Sequence, residues 1–397
     1  LQFKDVDQRS LAAKCHFCRH ELPLANTRRS LPRVTSDCRP AARTGALVVC
    51  PECCLTQTVV ADDWRDAAAQ AYRDYAIYEA ADGAEQKVAS HEGLQSRSSV
   101  IVDRLAELQT LPAAGRLLDF GCGNGGFLGA FAARFPDWEL DGAETDDRHI
   151  GALRAISGFR RLYGVNTDDL PEKYDAISLV HVLEHLEDPA AVLAKLRSKA
   201  NPGGLLLIEV PSWRTNPFAL MIADHATHFT PTSLQKVVGA GGWSRCAVQE
   251  NWVPKELSLT ALNDGQASSH FVPADYAEEK EALQSAVEWL AATMDEAKDI
   301  ASSAENFGLF GSAIAATWLY QGMADRVRFF VDEDPARAGR THLGLPILTP
   351  DQVAADAEVF VGVSPAIAPA LMGRLSSGPG RYHAAGEIPA SGVAAVC

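Results

Sequence analysis

One segment constrains this chain more than any other. Leu117-Leu118-Asp119-Phe120-Gly121-Cys122-Gly123-Asn124-Gly125-Gly126-Phe127-Leu128 is an apolar run that ends at an acid, passes through clustered glycines and becomes apolar again. That order describes a buried strand, a sharp turn and a helix whose free N–H groups face whatever the turn holds. A dinucleotide site would read G-x-G-x-x-G and spend the positive helix end on pyrophosphate. This turn reads D-x-G-x-G-x-G. An acid ahead of the turn repels a phosphate and accepts hydrogen bonds from a cationic amine.

The alternation continues with a helix to Phe135, a strand over Trp138–Glu144, strands near Ala176–Val180 and Leu205–Val210, and a helix at Pro189–Ala200 between the last two. Short connections between such elements mean a parallel sheet covered by helices. Glu144, closing the second strand, can take both hydroxyls of a ribose. Asp119 and Glu144 together select a nucleoside with an amino-acid tail and no phosphate, which fits S-adenosylmethionine. Residues Arg116–Val210 closely resemble class I methyltransferases: Tyr174–Leu179 stands as the fourth strand, with Val182-Leu183-Glu184-His185-Leu186 after it and Asn201-Pro202-Gly203-Gly204 before the fifth. The resemblance implies that Asp119, Gly121, Gly123 and Gly125 line the methionine moiety and that Glu144 holds the ribose. It also implies that Asn166 or Asp168 contacts the adenine amine, and that His181 lies at the tip of the fourth strand beside the sulfonium. Glu184 and His185 read as pins for the helix that follows.

Residues 1–60 are rich in Cys, Pro and Arg and lack a long apolar period. Cys15-x-x-Cys18 and Cys50-x-x-Cys53 supply four thiolates in two knuckles, enough for a closed tetrahedral zinc shell. Zinc in such a site is structural, and in a segment this poor in core its binding is linked to folding. A pair of redox dithiols is the alternative, and Cys38 is a spare thiol able to substitute as a ligand. Residues 61–110 read as a helical linker or lid, broken near Gly83. Tyr72, Tyr75 and Tyr78 either close over the cofactor or pack on the head. Residues 111–270 form the core. Residues 271–397 begin with a helix from Asp275 to Glu305, whose Leu283, Val287, Leu290, Met294, Ala297, Ala301 and Ala304 share a face. A second, smaller β-α-β unit follows, from Gly308–Gly311 through Val327–Val331 to a strand at Val359–Val363.

Asp224-His225-Ala226-Thr227-His228-Phe229-Thr230 lies after the fifth strand, where a loop overhangs the cofactor. An imidazole there can take a proton near neutral pH, and an adjacent carboxylate can orient it. His225 is the candidate general base, with Asp224 as its partner and His228 as a second candidate. The alternatives are that a histidine pins the loop by bonding Asp224, or that Asp224, His225 and His228 hold a metal. The whole arrangement resembles the nucleotide-sugar C-methyltransferases of deoxysugar biosynthesis, which join a four-cysteine zinc module, a class I methyltransferase core and a C-terminal Rossmann-like lobe. At the head the resemblance rests on Cys15-His16-Phe17-Cys18 and Cys50-Pro51-Glu52-Cys53-Cys54-Leu55-Thr56-Gln57. The tail contributes Gly308-Leu309-Phe310-Gly311-Ser312-Ala313, Phe330-Val331-Asp332-Glu333-Asp334-Pro335 and Gly344-Leu345-Pro346-Ile347.

The resemblance implies an α/β chain with a Rossmann-like class I methyltransferase core, an N-terminal zinc-binding module and a smaller C-terminal α/β lobe. It implies a keto-sugar nucleotide docked between core and tail, with His225 removing the proton beside the carbonyl and the enolate taking the methyl group. His225 lands on the family's catalytic histidine and Asp224 on its glutamate. Ile222 stands where the family has a tyrosine, and Arg337 where it has a lysine. The lost phenol leaves methyl transfer to oxygen or nitrogen open. A non-catalytic binding protein is a third reading, opposed by the intact Asp119, glycines and Glu144.

Charge narrows the partners. The chain of 397 residues carries a net charge of −15, although residues 1–44 hold nine of its 36 Lys/Arg and four of its 51 Asp/Glu. An acidic body of this kind does not suit a nucleic-acid binder, which needs clustered cations. The charge-free window Asn306–Ala324 contains three glycines and suits a strand, turn and helix better than a membrane span. No signal-peptide pattern opens the sequence, and nine cysteines, four of them in C-x-x-C pairs, suit a reducing compartment. A cytoplasmic location is expected.

Overall fold

The computed structural model describes residues 13–23, 31–41, 45–73, 87–90, 93–109, 111–171, 173–266 and 274–388. The centre is a seven-stranded sheet built from β1 (Arg116–Phe120), β2 (Glu139–Ala143), β3 (Phe159–Tyr163), β4 (Tyr174–Val180), β5 (Ala200–Pro211), β6 (Ser244–Gln249) and β7 (Glu256–Leu262), in the order β6-β7-β5-β4-β1-β2-β3. β1 to β5 pair in parallel, and β7 runs antiparallel to both β5 and β6. Leu117 and Leu118, Ile177, Ser178 and Leu179, and Leu206, Leu207 and Ile208 are buried on successive positions, as strands covered on both faces require. The chain winds outward from β1 to β3, returns, and winds the other way from β4. The crevice between β1 and β4 is therefore the switch point, where open α/β sheets bind ligands at the carboxyl ends of their strands.

The helices are closed by local chemistry. The helical stretch expected over Asp62–Leu108 is two helices, α1 (Asp62–Arg73) and α2 (Arg97–Leu108), with an antiparallel hairpin over Lys87–Ser90 and Gly93–Ser96 ahead of α2. Ser96 caps α2 by accepting from Ser99 N at 3.1 Å. Ile101, Val102 and Leu105 then pack on Leu117, Leu128 and Phe131, so α2 is part of the central core. α3 (Gly126–Arg134) follows the glycine turn. α4 (Pro189–Lys199) starts at Asp188 with proline in its first turn. α5 (Pro231–Ala240) starts at Thr230, whose side chain and that of Ser233 bond each other's backbone N–H.

Beyond α6 (Tyr276–Ser303), the tail lobe contains β8 (Phe307–Phe310), α7 (Ile314–Met323), β9 (Val327–Val331), β10 (Thr341–His342), β11 (Leu345–Leu348), β12 (Glu358–Val361), α8 (Ala368–Leu375) and β13 (Arg381–Ala384). Its sheet runs β10-β11-β9-β8-β12-β13, parallel except for the β10–β11 hairpin. The head forms an antiparallel pair, Leu47–Val49 with Thr56–Thr58, and a two-residue pair, Arg33–Val34 with Pro40–Ala41. The third strand of the head's main sheet comes from the core: Thr227–His228 pairs antiparallel with Thr56–Gln57. Tyr75 and Tyr78 lie outside the described residues. No helix among the described residues is long and apolar enough to cross a membrane.

Candidate active site

The first crossover has the form the sequence predicts. Asp119, at the C-terminal end of β1, is buried, and Ser178 Oγ on β4 donates to its Oδ1 at 2.8 Å. Burial pushes its carboxyl up to about 7; the Ser178 bond opposes this and the charge of Glu144 adds to it. An ammonium against Asp119 would hold it ionised. Gly121 has φ +82°, and a Cβ there would lie 2.3 Å from Val182 Cγ2. Only glycine fits. Glu144 follows β2 and reaches back across the turn: its Oε2 accepts from Gly123 N at 2.8 Å, and its Oε1 accepts from Thr145 N at 2.7 Å. Asp119, Gly121, Gly123, Gly125 and Glu144 thus surround one turn, a donor and acceptor set that fits the amine, carboxylate and diol of S-adenosylmethionine. Asn166 and Asp168 lie one loop away, after β3. Asn166 caps a short 3-10 turn by accepting from Asp168 N at 3.2 Å, and the exposed Asp168 carboxylate pairs with Lys195 at 3.3 Å.

His181 follows β4 with φ +55°. Its Nε2 lies 3.0 Å from Glu256 Oε2 on β7, its Nδ1 3.3 Å from Glu184 Oε1, and Arg97 of α2 approaches Nε2 at 3.0 Å. Burial alone would discharge this ring, but the charge of Glu256 and the bonds to Glu184 and Glu256 outweigh it against Arg97 and hold the imidazolium up to about 9. Glu256 is held down to about 2: burial opposes ionisation, and the charges of His181 and Arg97 override it. Glu209, on β5, is fully buried beside Glu256, and neither of its oxygens meets a donor at hydrogen-bonding geometry. Burial keeps its carboxyl protonated well above the usual range. The sequence carries one signal for this cluster. Glu209 is a lone carboxylate inside the apolar run Leu205–Val210.

The loop from Ile222 to Thr230 turns back under this edge. Asp224, His225 and His228 are all buried. Burial lowers His225 well below the usual imidazole value, and the neighbouring His185, His228 and His181 add to the effect. It is a neutral ring, able to accept a proton. The His185 ring meets it edge-on at 4.6 Å between centroids. His185 Nδ1 lies 3.1 Å from Asp224 O and 2.9 Å from the Tyr72 hydroxyl. His228 faces the head, with its Nε2 3.0 Å from Thr58 Oγ1, and burial holds it down to about 3. Asp224 accepts from Ser36 N at 2.8 Å and from Ser36 Oγ at 2.6 Å. The Asp224/His225/His228 metal set is therefore taken apart by other partners. Among the described residues it is Glu184, His185 and His225 whose ligand atoms lie within 4.8 Å of one another. Ile222, in place of the family's phenol, is packed with Val34 and Trp213 in an apolar cluster.

Cys15, Cys18, Cys50 and Cys53 converge, with ligand atoms all within 4.8 Å of one another. Cys15 Sγ lies 3.6 Å from Cys53 Sγ, and Cys18 Sγ 3.5 Å from Cys50 Sγ. Each knuckle turns through a left-handed residue, Arg19 or Cys54, whose N–H bonds the carbonyl of Cys15 or Cys50. Gln57 Nε2 donates to Cys15 Sγ at 3.1 Å, as a thiolate acceptor invites. Four sulfurs, two knuckles and an outer donor fit a tetrahedral zinc. Cys38 is not in this group. Its carbonyl accepts from Thr317 in the tail lobe at 3.1 Å, and burial pushes its thiol up to about 12.

Residues 92–245 match the family described as "Methyltransferase domain". The chain is 27% identical over 162 residues to a mitochondrial ubiquinone biosynthesis O-methyltransferase of Schizosaccharomyces pombe, covering 37% of this chain and 58% of that protein. It is 28% identical over 162 residues to a trans-aconitate 2-methyltransferase of Deinococcus radiodurans, covering 39% of this chain and 57% of that one. The chain thus spans somewhat over half the length of these curated relatives. Among solved structures, an amino pentose methyltransferase of Micromonospora echinaspora with S-adenosylmethionine bound aligns with a TM-score of 0.33 at 21% identity, over 43% of this chain and 92% of that one. The strand order and the domain match agree on an α/β Rossmann-like methyltransferase fold for the central sheet.

Proposed function

We propose that this chain is an S-adenosylmethionine-dependent methyltransferase that methylates carbon in a nucleotide-linked keto sugar, with a structural zinc in its cysteine head. The observation that carries the reading is the first crossover, where a buried acid and a second carboxylate flank a glycine turn that suits an amine and a diol and would repel a phosphate. S-adenosylmethionine supplies an electrophilic methyl group there. Asp119 and the glycine turn hold the amino-acid end and Glu144 the ribose. His225, kept neutral by burial, accepts the proton from the carbon beside the acceptor's carbonyl. His181, kept charged between Glu184 and Glu256, sets a positive charge near the oxygen on which negative charge gathers. A fixed charge of this kind lowers the barrier without reorganising. A buried imidazole is a weak base, so the acidity of the acceptor's C–H carries much of the step.

Methyl transfer to oxygen is the second reading. It is favoured by Ile222, since no phenol stands beside His225 in that position. Titration calorimetry with S-adenosylmethionine is expected to show one site per chain, and silence would end both readings. With a panel of keto-sugar nucleotides, solvent deuterium should enter carbon in the wild type and not in His225→Ala. Absence of exchange with every ketone would leave oxygen transfer.

A further inference from the structure

The loop that carries His225 is secured mostly by the cysteine head. Thr227–His228 is a strand of the head's sheet. Thr58 N donates to Ala226 O at 2.9 Å, and Ala223 N donates to Val34 O at 2.7 Å. Trp64 Nε1, on α1, donates to Ala223 O at 2.7 Å, and His16 Nε2 lies 2.8 Å from Thr227 Oγ1. His16 stands directly beside the thiolate Cys15, and its own N–H donates to Gln57, which bonds that thiolate. The tightest contact is Ser36, which uses both its N–H and its hydroxyl on the buried Asp224 carboxylate. Asp224 in turn presents its carbonyl to His185 at 3.1 Å and its Oδ2 at 3.4 Å, and His185 packs edge-on to His225.

We propose that Ser36 is a positioning residue for the proton-accepting loop, clamping Asp224 so that His185 and His225 keep their places, and that the loop's strand Thr227–His228 depends on metal in the four-cysteine site, whose Cys50–Cys53 knuckle leads into its partner strand Thr56–Thr58. The inference rests on the methyltransferase reading only for what the loop does; the clamp itself is a matter of geometry. An interaction through a charged acceptor is worth enough to decide a ring's place, on the order of tenfold or more in population. A backbone strand of two residues is too short to persist without the sheet it joins.

The test uses the full chain with ring-labelled histidine. In Ser36→Ala, the His185 and His225 ring signals are expected to shift, and Ser36→Thr is expected to restore them. S-adenosylmethionine affinity should stay within about twofold, because the first crossover lies on other elements. Stripping the metal with a mercurial and a chelator should raise amide exchange over residues 222–230 by about tenfold or more, as loss of a local cooperative unit does, with the β1–β4 amides still protected. Unchanged ring signals in Ser36→Ala, or ring changes that Ser36→Thr does not restore, would overturn the clamp. Metal loss without faster exchange in the loop would overturn its dependence on the cysteine site. Failure of the wild type to bind S-adenosylmethionine would instead strike the methyltransferase reading and leave the ring spectra to judge the clamp.

Discussion

His181 shows how one residue's charge is set by neighbours far away in sequence. Its ring lies between Glu184 and Glu256, and its folded value of about 9 stands above the free value of 6.5. The ion pairs therefore support the fold fully below about pH 6.5, and that support fades as pH rises through about 9. In Glu256→Gln the midpoint of His181 should fall by at least one unit, a loss of roughly 1.4 kcal/mol of differential interaction. Proton-detected titration of the His181 ring checks this; a wild-type midpoint near 6.5, or one that Glu256→Gln leaves unmoved, would contradict it. The places of Asp119 and Glu144 about one turn, and of His225 in the loop after β5, were legible in the sequence because each sits in a short local pattern. Arg97, Glu209 and Glu256 were not. Glu209 shows only as a lone carboxylate in an apolar run, while Arg97 and Glu256 come from α2 and β7, and only the register of β7 on β5 brings Glu256 beside the end of β4.

At the scale of elements, the legible strands were β1, β4 and β5, whose runs Leu117–Leu118, Ala176–Val180 and Leu205–Val210 are mostly apolar on both faces, and β2, which ends beside Glu144. β3 reads Phe-Arg-Arg-Leu-Tyr and sits at the sheet edge, where its arginines reach water and blur the pattern. β7 reads Glu-Leu-Ser-Leu-Thr-Ala-Leu, an alternation that announces a half-buried strand, but Ser258 and Thr260 are buried too, so the pattern does not state its covered place in the sheet. The break expected near Gly83 lies outside the described residues, and the hairpin ahead of α2 depends on pairing that no local pattern states. Helix ends behaved more simply, since caps are local. α5 begins at Thr230, with Ser233 returning the bond. Replacing Thr230 by alanine should cost about 1 kcal/mol, read as a lower denaturant midpoint with an unchanged slope. An unchanged midpoint would mean that the cap contributes nothing.

At the scale of the whole molecule, one residue and its neighbour tie three regions together, Arg33 by its side chain and backbone and Pro32 by its backbone. Arg33 is buried in the head and donates to Leu220 O of the core and Gly45 O of the head. Burial lowers its guanidinium to about 10. Its own carbonyl accepts from Gln321 of the tail lobe at 2.8 Å, and the carbonyl of Pro32 beside it accepts from Trp318 Nε1 at 2.9 Å. Arg33→Met would leave two carbonyls without their donor, at roughly 1–3 kcal/mol each where they stay dry. Calorimetry should then show the single transition of the wild type lowered and split, with the central sheet melting last. A single transition at the original temperature would show that the regions hold together by other means.

Thr227–His228 gives the chain a join that its linear order hides. A stretch encoded after the fifth core strand completes a sheet begun near the amino terminus, so an excised core would expose a raw strand edge. A chimera that trades the core for a relative's must therefore exchange the loop and the head as one matched set. Grafts that respect only the sequence boundaries would be expected to aggregate, even when every donor part is sound by itself.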